Sequence, residues 1–120
     1  MSRLLVPAIS LSLMLASTAS FAHAELENAS PAADATLQST LSEVALGFTE
    51  AVEPKFSTIK VQDSEGMRVD NADVSAAPGN AKRLSVSLRP LQPGTYEVLW
   101  RVTSTDTHKT NSSYTFKVAP

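Results

Sequence analysis

The sequence predicts a single all-β domain, a sandwich or barrel, and two observations carry that prediction. Apolar residues alternate with polar or small ones over several short runs, which places one face of each run on a core and the other toward water. Proline, glycine, serine and asparagine clusters separate the runs at short intervals, as in sheets built from many short strands. The 120 residues leave room for one compact domain.

Taken in order, the chain opens on a segment that does not read as structure. Met1-Ser2-Arg3 supplies one positive charge, Leu4 to Ala16 is an almost uncharged apolar run, and small residues lead to Ser20-Phe21-Ala22. A basic start, an apolar centre and a small-x-small exit are the pattern of a secretory signal peptide. The run is short of the about 20 residues that a membrane span needs. The expected organisation is therefore a cleaved segment over residues 1–22 and an exported domain over 23–120. Cleavage after Ala22 makes His23 the first residue. Cuts after Ala24 or Ala19 also satisfy the rule for small residues, and the rule does not choose among them.

Within the domain, Ala32 to Leu41 hints at a helical turn, although Asp34 and Thr36 compete for its backbone. Strands are then expected around Val44, Leu46 and Phe48, around Ile59 and Val61, and around Leu84, Val86 and Leu88. The longest run is Tyr96, Val98, Trp100 and Val102, and the last is Tyr114, Phe116 and Val118. Breaks fall at Ser30-Pro31, Pro54, Ser64-Glu65-Gly66, Pro78-Gly79-Asn80, Pro90 and Pro93-Gly94. The last pair suits the centre of a type II turn, where proline sets φ and glycine accepts φ > 0. Trp100, on the longest strand, is expected to fill the middle of the core.

Composition narrows the function. A formal net charge of −2 and 18% charged residues give no basic footprint for nucleic acid. The chain has no cysteine, so thiolate ligands, disulfides and a cysteine nucleophile are all excluded. Serine and threonine are plentiful between 103 and 115, but no hydrolytic triad is expected around His108. Glu25, Glu27, Glu43 and Glu53 read as a solvated acidic face. The sequons at Asn28 and Asn111 are short matches of a kind frequent by chance.

One group of residues carries chemistry. The chain has two histidines, His23 and His108. In an extended Ser104–His108 segment, Asp106 and His108 project from the same side, because strand side chains alternate with period two. An N-terminal His23 adds its free α-amine to its imidazole, so one residue can chelate one ion. Amine and imidazole lose their protons at little cost near neutral pH. Three nitrogens with a carboxylate beside them favour Cu(II). Zinc competes, since His, His and Asp also suit a tetrahedron. Cu(I) prefers sulfur donors, and beyond residue 22 only Met67 offers one.

At these residues the chain resembles the CopC family of periplasmic copper-binding proteins, including its shorter YobA-like members. The likeness spans His23 with Ser30-Pro31-Ala32-Ala33-Asp34-Ala35, then Leu46-Gly47-Phe48-Thr49-Glu50 and Pro93-Gly94-Thr95-Tyr96-Glu97-Val98-Leu99-Trp100-Arg101-Val102. It continues through Ser104-Thr105-Asp106-Thr107-His108-Lys109-Thr110 and closes on Thr115-Phe116-Lys117-Val118. The resemblance implies a Greek-key β-sandwich or barrel, cupredoxin-like or immunoglobulin-like. It implies one Cu(II) per chain on His23, Asp106 and His108, with Glu50 nearby as a supporting or weak axial group. It also implies cleavage before His23, a periplasmic, monomeric copper chaperone or buffer in copper resistance or homeostasis, and an inner-membrane copper transporter of the CopD type as partner. Family members with a Cu(I) site carry a methionine-rich central loop; Lys60 to Lys82 here has Met67 alone, so that site is expected to be missing.

Two rivals stand beside this reading. A copper monooxygenase also uses an N-terminal histidine chelate, but it needs an aromatic sugar-binding face that four Phe, two Tyr and one Trp hardly supply. A metal-free immunoglobulin-like accessory module would make no use of His108 at all.

Overall fold

The computed structural model describes residues 23–120, and the expected signal segment 1–22 lies outside them. Eight strands form two four-stranded sheets. They are β1 (Leu26–Ser30), β2 (Thr36–Leu37), β3 (Glu43–Phe48), β4 (Thr58–Asp63), β5 (Ser75–Ala77), β6 (Asn80–Ser87), β7 (Gly94–Thr103) and β8 (Lys109–Val118). One sheet has the order β1-β3-β6-β5 and the other β2-β8-β7-β4. The chain crosses between sheets after β1, β2, β3, β4 and β6, so the architecture is a sandwich with edges rather than a closed barrel.

The alternation read from the sequence is the alternation of the core. Val44, Leu46 and Phe48 of β3 and Leu84 and Val86 of β6 face Ile59, Val61, Val98, Trp100, Val102, Phe116 and Val118 across the sheets, all buried. Trp100 is buried as expected and lies 5.9 Å from the Tyr114 ring. Tyr96, at the start of β7, donates its hydroxyl proton to the Gln92 carbonyl four residues upstream and stacks on Phe116 at 5.5 Å. A buried tyrosine tied back to the chain before its own strand is the corner device of immunoglobulin-like Greek-key sandwiches.

Three local expectations are corrected. Residues 32–41 hold no helix, because their backbone is taken up by β8: Asp34 N–H donates to Thr115 O at 2.7 Å, Lys117 N–H to Ala35 O at 2.8 Å, and Ala119 N–H to Leu37 O at 2.8 Å. Asp34 itself sits at φ 62°, outside the helical region. Pro93-Gly94 is not a type II turn, since Gly94 has φ 155° and opens β7 opposite Val118. Ser104–His108 is not extended either; it is the turn between β7 and β8, with Thr107 at φ 73°. Pro54 falls in a short 3-10 turn, Pro54–Phe56, where its fixed φ suits the first position.

An edge of the second sheet is closed by a polar device that the alternation does not reveal. Asp70 is 1% exposed and accepts from the Val61 N–H at 2.8 Å, the Ala72 N–H at 3.0 Å and the Arg68 Nε at 2.9 Å. The Val69 N–H donates to Val61 O at 2.8 Å, so the segment after the Ser64–Gly66 turn lies along β4 and satisfies its free backbone groups.

Candidate metal centre

The site is built at one end of the sandwich by two pieces of chain. The first is the turn from β7 to β8. Its backbone closes through Ser104 N–H to His108 O at 2.8 Å and Thr107 N–H to Ser104 O at 2.9 Å. The buried Ser104 hydroxyl donates to Asp106 Oδ1 and also lies 3.2 Å from His108 O. The left-handed Thr107 then reverses the chain so that His108 swings back over Asp106. His108 Nδ1 rests 3.1 Å from Asp106 Oδ2. Asp106 and His108 do meet on one side, as expected, but the turn brings them together and strand alternation does not. The Ser104 hydroxyl, with further help from His108, holds the Asp106 carboxyl below the usual carboxylate range against the opposing effect of desolvation.

The second piece is the segment leading into β1. Thr49 Oγ1 donates to His23 O at 3.2 Å and accepts from Glu25 N–H at 3.0 Å, while Thr49 N–H donates to Glu25 O at 2.9 Å. From the opposite sheet, Thr110 Oγ1 donates to Ala24 O at 2.8 Å, and Ala24 is 1% exposed. Residues 23–25 are thus clamped between the end of β3 and the start of β8. The consequence is that the His23 ring meets the His108 ring edge to face, with centroids 5.1 Å apart and planes at 81°.

Two residues 85 positions apart in the chain, one from each piece, therefore bring their imidazoles into contact beside a single carboxylate. The Nδ1–Oδ2 separation of 3.1 Å is within the spread of two neighbouring ligands each about 2.0–2.2 Å from one ion. All the donors are nitrogen or oxygen, a set of the kind that Cu(II) and zinc accept. Among the described residues no group of three or more His, Cys, Asp or Glu side chains is gathered closely enough to hold a metal. Side chains alone do not complete the site. Glu50 is exposed and follows the Thr49 clamp at the end of β3, outside the β7–β8 turn. Ser104, Thr49 and Thr110 position the donors and were not among the expected site residues. Their one signal in the sequence is a hydroxyl side chain standing beside a candidate ligand or strand end.

Comparison with known proteins bears on the family and the fold. A family model described as "CopC domain" matches residues 26–119. The chain is 37% identical over 99 residues to the protein YobA of Escherichia coli strain K12, covering 82% of this chain and 80% of that one. It is 37% identical over 110 residues to the copper resistance protein C of Xanthomonas campestris pv. juglandis, covering 87% and 86%. Among solved structures it superposes on CopC from Methylosinus trichosporium OB3b with a TM-score of 0.77 at 33% identity, covering 82% of this chain and 95% of the other.

Proposed function

Because this chain belongs to the CopC family, a family of copper resistance proteins and not of enzymes, we propose that it is a periplasmic Cu(II)-binding protein that buffers or carries the ion for copper resistance or homeostasis. The observation that supports this reading most directly is the contact of the His23 and His108 rings, with Asp106 against His108. Removal of residues 1–22 on export would free the His23 α-amine, and that amine supplies the donor that side chains alone do not. His23 would then bind through amine and imidazole, His108 through imidazole, and Asp106 through a carboxylate that Ser104 keeps oriented. Amine and imidazole on one residue form a compact planar bite, which favours Cu(II) over zinc.

The reading includes one ion per chain and a monomeric carrier. An inner-membrane transporter of the CopD type is the acceptor we assign. With Met67 the one methionine beyond residue 22, the chain is proposed to handle Cu(II) without a paired Cu(I) site.

The test is intact mass of the exported protein followed by Cu(II) titration with EPR on the same sample. The reading expects a mass that begins at His23, one copper, and nitrogen hyperfine structure. Adding a glycine before His23 keeps both rings and displaces the amine chelate, and should weaken binding by at least about tenfold. A protein that begins at Glu25, or a His108→Ala variant with unchanged copper affinity, would overturn it.

A further inference from the structure

The outer face of the β7 sheet carries a feature for which metal binding has no use. Ile59, Val61, Trp100 and Val102 point inward, so their neighbours Lys60 and Arg101 point outward, and Lys109 joins them from the start of β8. Register places Thr58, Arg101 and Asn111 side by side across β4, β7 and β8, with Lys60 one rung away and Lys109 opposite Thr103. Two adjoining shallow grooves run over this row, and no acidic residue lines either of them. The ion pairs among the described residues are Arg68–Asp70 and His108–Asp106, so none of these three cations has a carboxylate partner. Glu97, the acid on the same face, lies a rung beyond and accepts from Gln62 Nε2 at 2.9 Å. A chain of net negative charge has thus kept one face basic.

At the rim of the first groove stands Phe56, 72% exposed. Its backbone is fixed: Phe56 O accepts from Thr103 Oγ1 at 3.1 Å, Phe56 N–H donates to Glu53 O at 3.1 Å, and Ser57 Oγ accepts from Thr103 N–H at 3.1 Å. An exposed aromatic on an immobilised backbone, flanked by arginine and lysine, has the composition of an interface anchor. The face also ends at the metal turn, since Lys109 follows His108 directly.

We propose that this face docks an acidic segment of a partner protein, whose carboxylates meet Lys60, Arg101 and Lys109 and whose apolar side chain packs on Phe56. Charge complementarity selects the partner, and the fork of Arg101 favours a carboxylate. A protein segment fits better than an anionic bilayer. The grooves are lined by Thr58, Asn111 and Ser113, hydrogen-bonding groups that a peptide backbone can use and acyl chains cannot. A single aromatic also leaves little to insert into lipid. The docking stands on charge and exposure; that copper is what passes at the adjoining turn rests on the function proposed above.

The experiment is an NMR titration of the exported protein with a glutamate-rich peptide bearing one central leucine, at low and at high salt. The same titration is repeated with phosphatidylglycerol vesicles. Shifts centred on Thr58, Arg101 and Asn111, weakened by salt, are expected. Affinity should fall about tenfold or more in a Lys60→Glu/Arg101→Glu/Lys109→Glu variant and several-fold in Phe56→Ala. A Lys82→Glu/Arg83→Glu/Arg89→Glu variant changes net charge equally on other surfaces and should change affinity far less. Equal loss in both triple variants, shifts spread over the whole surface, or a response to vesicles without one to the peptide overturns the proposal. Copper titration of the same samples separates the two readings. Peptide binding without copper binding keeps the docking face and removes the cargo, whereas copper binding without peptide binding removes the docking face.

Discussion

Single residues in this fold are decided by whether a buried polar group finds partners. Asp70 is the clearest case. Burial pushes its carboxyl toward the neutral form and is the largest single influence, but the Arg68 guanidinium and the Val61 and Ala72 N–H groups together outweigh it and hold the carboxyl below its usual range. Asp70→Ala leaves those backbone donors unsatisfied and should cost about 2–4 kcal/mol, read as a shift in the urea midpoint. The sign of the pH effect follows from a folded pKa that is depressed. The contribution is complete above the unfolded carboxyl pKa of about 4 and is lost as pH falls through the lower folded value. The gap between parent and variant should therefore narrow in acid, and a gap that widened would contradict this role. Two tyrosines make a paired test. Tyr96 donates to Gln92 O, so Tyr96→Phe strands a carbonyl and should cost about 1–3 kcal/mol. The Tyr114 hydroxyl is buried without a hydrogen-bond partner and burial pushes its pKa up, so Tyr114→Phe should be neutral or stabilising by about 1 kcal/mol in the same unfolding assay.

Elements matter here chiefly by where they end. β3 ends at Phe48, and the next residue, Thr49, ties down His23 and Glu25; β8 begins at Lys109, and its second residue, Thr110, ties down Ala24. Neither hydroxyl is a proposed ligand, yet each holds the chain that delivers one. Thr110→Val should leave the unfolding free energy within about 1–2 kcal/mol of the parent. Its effect on Cu(II) affinity should be larger, about 10–100-fold, as for groups that orient ligands. Stability and metal titrations on the one variant measure both, and an unchanged affinity would show that the clamp is not needed to present His23.

On the scale of the whole molecule, the sandwich brings two chain segments together that the unfolded chain keeps apart. A metal bound by both segments favours the native state by mass action. Free Cu(II) at a hundred times its Kd should add about 2.7 kcal/mol, roughly 10–20 °C in Tm for a domain of this size, and a chelator should reverse it. The His108→Ala variant should gain less, because an N-terminal chelate on His23 alone is equally available to the unfolded chain. With no cysteine, reductant should leave the stability of the metal-free protein unchanged.

What the sequence determined by itself was the class of fold and the chemistry of the donors. Period-two runs at Val44–Phe48, Ile59–Val61, Leu84–Leu88, Tyr96–Val102 and Tyr114–Val118 can bury one face only as strands, so five of the eight elements and nearly all of the core were legible. The types of residue at 23, 106 and 108 were legible for the same local reason: a side chain carries its ligand chemistry wherever it lies. Tertiary structure decided what depends on partners distant in sequence. Residues 32–41 gave up a helical turn because β8 offers their backbone better hydrogen bonds, and β1 and β5 are too short and polar to declare themselves without the strands they pair with. Asp70 became a structural residue only because β4 presents an unpaired N–H beside it. The approach of His23 to His108 likewise depends on Thr49, just past the end of β3, and Thr110 in β8 of the other sheet, and local periodicity carries no information about contacts made across a sandwich.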